Sequence, residues 1–146
     1  PWEFLAIGSQ GSLPEMPLRA GQVLRPAPWA DYRGYATLLR ESDILLCPML
    51  SPHTSYPVLE MAASGGIVVT NSFATKSAEA LAAISANIVA VPPTEAGFAT
   101  GLIAAAARVN RGAVSEGSLQ RPSDWRTSLS TVTADMASTF RQLTAA

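Results

Sequence analysis

Short apolar runs and amphipathic stretches alternate along this chain. Residues 2–7 form an apolar run that closes at Gly8-Ser9-Gln10-Gly11-Ser12, a glycine-rich turn. A second short run at 22–24 ends at Pro26-Ala27-Pro28. Residues 31–40 place Tyr32, Tyr35, Leu38 and Leu39 at helical spacing, and Trp29, Tyr32 and Tyr35 are expected to pack that helix. The run at 43–48 is too apolar for a half-exposed strand and has the pattern of a parallel strand covered on both faces. A polar loop at 51–55 leads into a short helix at 56–64, with Pro57 in its first turn, where a missing N–H costs nothing. Gly65-Gly66 ends that helix, and residues 67–70 read as the next strand.

Further along, 71–76 is a loop, 77–85 a helix, and 87–91 a strand closed by Pro92-Pro93. Residues 94–109 form an alanine-rich helix. Residues 110–122 are polar and glycine-punctuated, a loop or a weakly formed helix. A long helix at 124–143 follows, capped by Ser123 and expected to be anchored to the core by Trp125. Alternation of this kind predicts an α/β fold: a three-layer α/β/α Rossmann-like domain with a parallel sheet. In such sheets ligands bind outside the carboxyl ends of the strands. The loops after Ile7, Leu24, Pro48 and Thr70 are therefore expected to line any site.

The length, 146 residues, suits a single domain spanning residues 1–146. Its net charge of −1 gives no electrostatic footprint for nucleic acid, and Lys76 is the only lysine beside nine arginines, so no polybasic patch exists for a membrane surface. Cys47 is the single cysteine, which excludes an internal disulfide; it is expected to be a buried, inert thiol. No apolar run approaches the ~20 residues of a membrane span. Pro1-Trp2 runs straight into apolar sequence with no initiator methionine, which suggests a piece of a longer protein.

The stretch with most chemical content is 43–71, DILLCPMLSPHTSYPVLEMAASGGIVVTN. A buried strand ends at Pro48, a loop of small polar residues follows, and a helix begins near Tyr56. A helix start presents free N–H groups and the positive end of a dipole, a ready site for phosphate. Thr54, Ser55 and Tyr56 would supply backbone N–H groups. Glu60, one turn in, can accept hydrogen bonds from the vicinal hydroxyls of a ribose. Phosphate donors and a ribose acceptor one helical turn apart describe a nucleotide-diphosphate site.

These residues resemble the signature of the retaining, group-1 family of GT-B glycosyltransferases. Pro57-Val58-Leu59-Glu60-Met61-Ala62 matches the family's helix, and residues 65–71 match its next strand. The Ser-Tyr-Pro-x-Leu-Glu-Met version looks most like rhamnosyltransferases of bacterial surface polysaccharide biosynthesis. The resemblance implies the C-terminal, nucleotide-sugar-binding half of the enzyme. The donor it implies is dTDP-rhamnose, and a separate N-terminal domain would bind the glycan acceptor. It further implies hexosyl or deoxyhexosyl transfer without a metal or other cofactor, and a cytoplasmic location, peripheral at the inner membrane in the full protein. The isolated fragment is expected to be inactive.

Carried over by position, Glu60 binds the ribose, and Thr54, Ser55 and Tyr56 meet the diphosphate. The family's first motif glutamate falls on Pro52, a departure that puts the donor-sugar contacts in doubt. His53 and Asn71 are candidate donor contacts, Arg25 is a stand-in for basic residues that approach the diphosphate, and residues 24–28 fall where the family reads the base. No catalytic residue is assigned. His53 is the only histidine, which excludes a multi-histidine metal site, and Lys76 is expected at the surface. Two other readings stay open: a GT-B sugar-phosphate epimerase fragment, and a non-catalytic Rossmann-like nucleotide-binding or interaction module.

Overall fold

The computed structural model describes residues 1–8, 13–113, 117, 119–120 and 124–144. Most of the glycine-rich turn after the first strand, and Ser123, lie outside the described residues. The chain divides into two compact units, Pro1–Leu38 and Leu39–Ala146.

In the first unit, β1 (Phe4–Ala6) pairs in parallel with β3 (Val23–Pro26), placing Phe4 opposite Leu24 and Ala6 opposite Pro26. β2 (Met16–Pro17) pairs with β3 in the antiparallel sense, giving the order β1-β3-β2. This two-residue strand has no counterpart in the apolar pattern. β3 also lies later than the run at 22–24, because its register is set by pairing with β1. A helix, α1 (Tyr32–Glu41), follows, with Asp31 Oδ1 accepting the Gly34 N–H at 2.8 Å as its cap. The expected packing of Trp29 and Tyr32 is not found: they are 83% and 84% exposed.

The second unit holds the Rossmann-like core. β4 (Ile44–Cys47), β5 (Ile67–Asn71) and β6 (Ile88–Val91) form a parallel sheet in that order. Successive strands are joined through α2 (Tyr56–Ala63) and α3 (Ala78–Ile84), and α4 (Glu95–Asn110) follows β6. Every residue of β5 is buried, so both of its faces are covered. Ile67 and Val69 point to one face, where with Val91 and Ala105 of α4 they form a core cluster. Val68 and Thr70 point to the other, and Val58, Met61 and Ala62 of α2, with Leu39, Leu81 and Ile88, are also buried. Asn71, assigned by pattern to the loop, is the last residue of β5. β4 pairs with β5 alone in this sheet, and Leu46 is exposed, so the expectation that the strand at 43–48 is covered on both faces is not met; β5 is the strand so covered.

Local chemistry sets the helix ends. Thr94 caps α4 by accepting the Gly97 N–H, and Ser77 caps α3 by accepting the Ala80 N–H. α5 (Trp125–Thr144) is capped by Asp124, whose carboxylate accepts from the Thr127 amide and hydroxyl. Those bonds, the amide's first, hold the Asp124 carboxyl below its usual range. Trp125 does not anchor α5: it is 79% exposed, as the first of an apolar stripe with Leu129, Val132, Met136, Phe140 and Leu143, none of them buried. Among the described residues no helix is long and apolar enough to cross a membrane.

Close approach of α4 to the sheet requires a glycine. A β-carbon at Gly101 would lie 2.8 Å from Val69 Cγ1 and 2.9 Å from Val91 Cγ1. Alanine would gain ~1 kcal/mol of helix propensity, but valine methyls cannot swing aside, and overpacking costs about 1–3 kcal/mol. Gly101→Ala is therefore expected to lower unfolding stability by about 1 kcal/mol in urea titrations. A gain in stability would show that α4 stands further from β5 than described.

Candidate functional site

The carboxyl ends of β4, β5 and β6 share one edge of the sheet, with Cys47 opposite Thr70 and Thr70 opposite Ala90. A strand buried on both faces brings its terminal polar side chains into the interior with it, and these must find partners there. Thr70 Oγ1 donates to the Cys47 carbonyl at 2.8 Å. Asn71, 1% exposed, spends its amide on the loop beyond β4. Its Oδ1 accepts the Met49 N–H at 2.7 Å, and its Nδ2 donates to the carbonyls of Met49 and Ser72, both at 3.1 Å. Asn71 thus holds the loop that carries the other candidates.

Lys76 joins it on the same peptide. A tight turn, closed by reciprocal Phe73 and Lys76 backbone bonds, folds residues 73–76 back over the edge. Lys76 is 3% exposed, not at the surface as its loop position suggested, and its Nζ donates to the Met49 carbonyl at 3.0 Å. Burial lowers its pKa below the usual lysine value, and the nearby Cys47 sulfur pulls the other way. Its hydrogen-bond partner is that carbonyl and not a carboxylate.

From Met49 a ladder of bonds climbs the loop two residues at a time. The Ser51 N–H donates to the Met49 carbonyl at 2.9 Å, the His53 N–H to Ser51 Oγ at 3.2 Å, and the Ser55 N–H to His53 Nδ1 at 2.9 Å. The last bond assigns the imidazole proton to Nε2, which leaves an exposed ring with one outward donor. The ring meets Tyr56 edge-on, with centroids 5.9 Å apart. Ser55 sits at φ 76°, ψ 135°, a left-handed backbone that strains a residue bearing a β-carbon, and it is buried. Its N–H is engaged by His53, so of the three expected phosphate donors Ser55 is spent within the loop, and the ladder uses neither the Thr54 nor the Tyr56 N–H.

Ser55 makes no side-chain cap to α2. The first turn of this eight-residue helix therefore has no side-chain cap: Pro57 contributes no N–H, Val58 is fully buried, and Tyr56 is exposed. Glu60 lies half-buried four residues after Tyr56, on the same helical face. Helical side chains lean in general toward the N-terminus, the direction of that first turn. Pro52, where the family motif has glutamate, is exposed in the loop.

A scan of family models matches residues 1–103 to the WsaF C-terminal domain, more than two thirds of the chain. The chain belongs to that family. The WsaF C-terminal domain is a glycosyltransferase-associated domain, and a glycosyltransferase-related role follows for this chain. No curated protein matches it.

The WsaF-type match takes in both units as far as α4, and the candidate residues divide between them. His53, Thr54, Ser55, Tyr56, Glu60 and Asn71 all lie at the β4–β5 edge of the second unit or in the helix that starts there. Arg25 lies on β3 of the first unit, where its Nε donates to Glu15 Oε1 at 3.1 Å in an exposed pair. Among the described residues no group of three or more His, Cys, Asp or Glu side chains could hold a metal ion. The sequence reading missed Lys76 and the Met49 peptide; a solitary lysine in an arginine-rich chain was the available signal.

Lys76 carries a pH signature. Its folded pKa is depressed below the unfolded one, so between the two values the unfolded chain binds more protons and this group's contribution to stability rises with pH. Urea unfolding of the wild type and of Lys76→Met, from neutral pH to the edge of the ordinary lysine range, should show that rise in the wild type and its loss in the variant. Parallel curves for the two proteins would contradict a buried, charged Lys76.

Proposed function

We propose that this chain is the nucleotide-sugar-binding half of a GT-B glycosyltransferase of the retaining, group-1 kind, and that the start of α2 receives the donor's diphosphate. The first turn of α2 without a side-chain cap, with Glu60 one helical turn further along, is the observation that carries the reading. In a chain of the WsaF C-terminal domain family, that arrangement suits a nucleotide sugar. The amides of Thr54 and Tyr56 and the Nε2–H of His53 are donors for phosphate oxygens, and the Glu60 carboxylate is the acceptor for ribose hydroxyls. Developing negative charge on the departing diphosphate would be stabilised by fixed N–H groups and the helix dipole. Glu60 acts in binding and orientation, not in proton transfer.

The favoured donor is dTDP-rhamnose, on the strength of the Ser55-Tyr56-Pro57 and Leu59-Glu60-Met61 pattern. A glycan acceptor would be supplied by a separate domain, and the product would be a bacterial surface polysaccharide. Pro52 in place of the motif glutamate favours a second reading, a nucleotide-binding module without turnover.

Isothermal titration with dTDP, UDP and GDP in the absence of metal should show selective binding of one of them. Glu60→Ala should weaken that binding by about tenfold or more, since bonds to a charged acceptor contribute about 1.5–3 kcal/mol. An affinity within about twofold of wild type, roughly 0.4 kcal/mol, would remove Glu60 from the site. Binding without sugar transfer by the full-length enzyme would favour the second reading.

A further inference from the structure

We propose that Lys76 and Asn71 are positioning residues: by gripping the Met49 peptide they set the shape of the 48–55 loop, and nucleotide affinity at the start of α2 depends on that grip. The inference rests on the donor-site reading above and extends it to two buried side chains that hold the loop.

The geometry is continuous. Met49 is held at both its N–H and its carbonyl, the carbonyl taking bonds from Lys76 Nζ, Asn71 Nδ2 and the Ser51 N–H. From there the ladder through Ser51 and His53 ends on the N–H of Ser55, the residue whose left-handed backbone turns the chain into α2. Residues 49, 51, 53 and 55 occupy the inner rungs. The alternate residues include Pro52, whose missing N–H the ladder does not need, and Thr54 and Tyr56, whose amides are the phosphate donors. A shift at Met49 is thus passed, one bond at a time, to the place where the diphosphate would sit.

Lys76 is the rung that an apolar side chain could not replace. A methionine would fill the same space without the desolvation cost of a buried ammonium. What the ammonium adds is a charge-assisted bond to the Met49 carbonyl. That bond reaches across from the loop after β5 to the loop after β4, so the strained Ser55 backbone is held from outside its own segment.

Amide hydrogen exchange on the whole chain tests the grip without any ligand. In Lys76→Met the amides of Ser51, His53 and Ser55 should exchange about tenfold faster or more, the loss expected for one charged hydrogen bond. Those of Val68, Val69 and Thr70 should keep their protection and so report an intact sheet. Lys76→Arg, which keeps a cationic donor, should recover part of the loop's protection. Titration with dTDP, UDP and GDP then tests the coupling: affinity should fall about tenfold in Lys76→Met and return in part in Lys76→Arg. Loop exchange unchanged within about twofold in Lys76→Met would overturn the grip, and a loosened loop with unaltered affinity would overturn the coupling. A wild-type chain that binds none of the three nucleotides would overturn the donor reading and the coupling with it, while the exchange rates still decide the grip.

Discussion

A strand buried on both faces cannot end carelessly. Every residue of β5 is out of solvent, and its last two, Thr70 and Asn71, are polar. A buried donor or acceptor left unpaired costs about 1–3 kcal/mol, so their side chains must be met by neighbouring groups, and the nearest are the peptides that leave β4. Thr70 takes the Cys47 carbonyl, and Asn71 takes both ends of the Met49 peptide. The course of the chain beyond β4 follows from that pairing, and with it the direction in which α2 begins.

The same pairing separates support from contact. Asn71 and the Ser55 N–H are spent inside the protein. Thr54, Tyr56 and the outer nitrogen of His53 are the donors that the proposed reading assigns around the start of α2. An array of donors fixed before the ligand arrives needs little reorganisation when charge develops on it, which is the advantage of preorganised N–H groups over mobile side chains. Strain at Ser55 is the cost of aiming the loop this way, and the ladder from Met49 keeps it in place. At the opposite end of the strands Asn87 is equally buried, accepting from Arg108 of α4 and donating to the Gly65 carbonyl.

Much of this was legible in the sequence, and the exceptions share a cause. Alternating strand and helix patterns between Ile44 and Asn110 gave the parallel sheet and the order of its elements. Pro57, Glu60 and Gly65-Gly66 located α2, because turn and helix-end chemistry is local. Burial and pairing are not local. The exposed side of β4 depends on which strands it pairs with, and β2 exists only because β3 lies beside it. Trp29, Tyr32 and Trp125 were expected to pack because of what they are, yet each is exposed where it stands. Lys76 was expected at the surface for the same kind of reason. A turn at residues 73–76 folds it under instead, which no periodicity reveals.

The central claim is that the start of α2 is where a nucleoside diphosphate binds. The most direct test is a heteronuclear NMR titration of the nitrogen-labelled chain with whichever of dTDP, UDP and GDP binds best, set against the corresponding nucleoside. The account predicts that the diphosphate shifts the amide resonances of Thr54 and Tyr56 and that the nucleoside alone does not. Shifts confined to the opposite end around Asn87, or to α4, would contradict it.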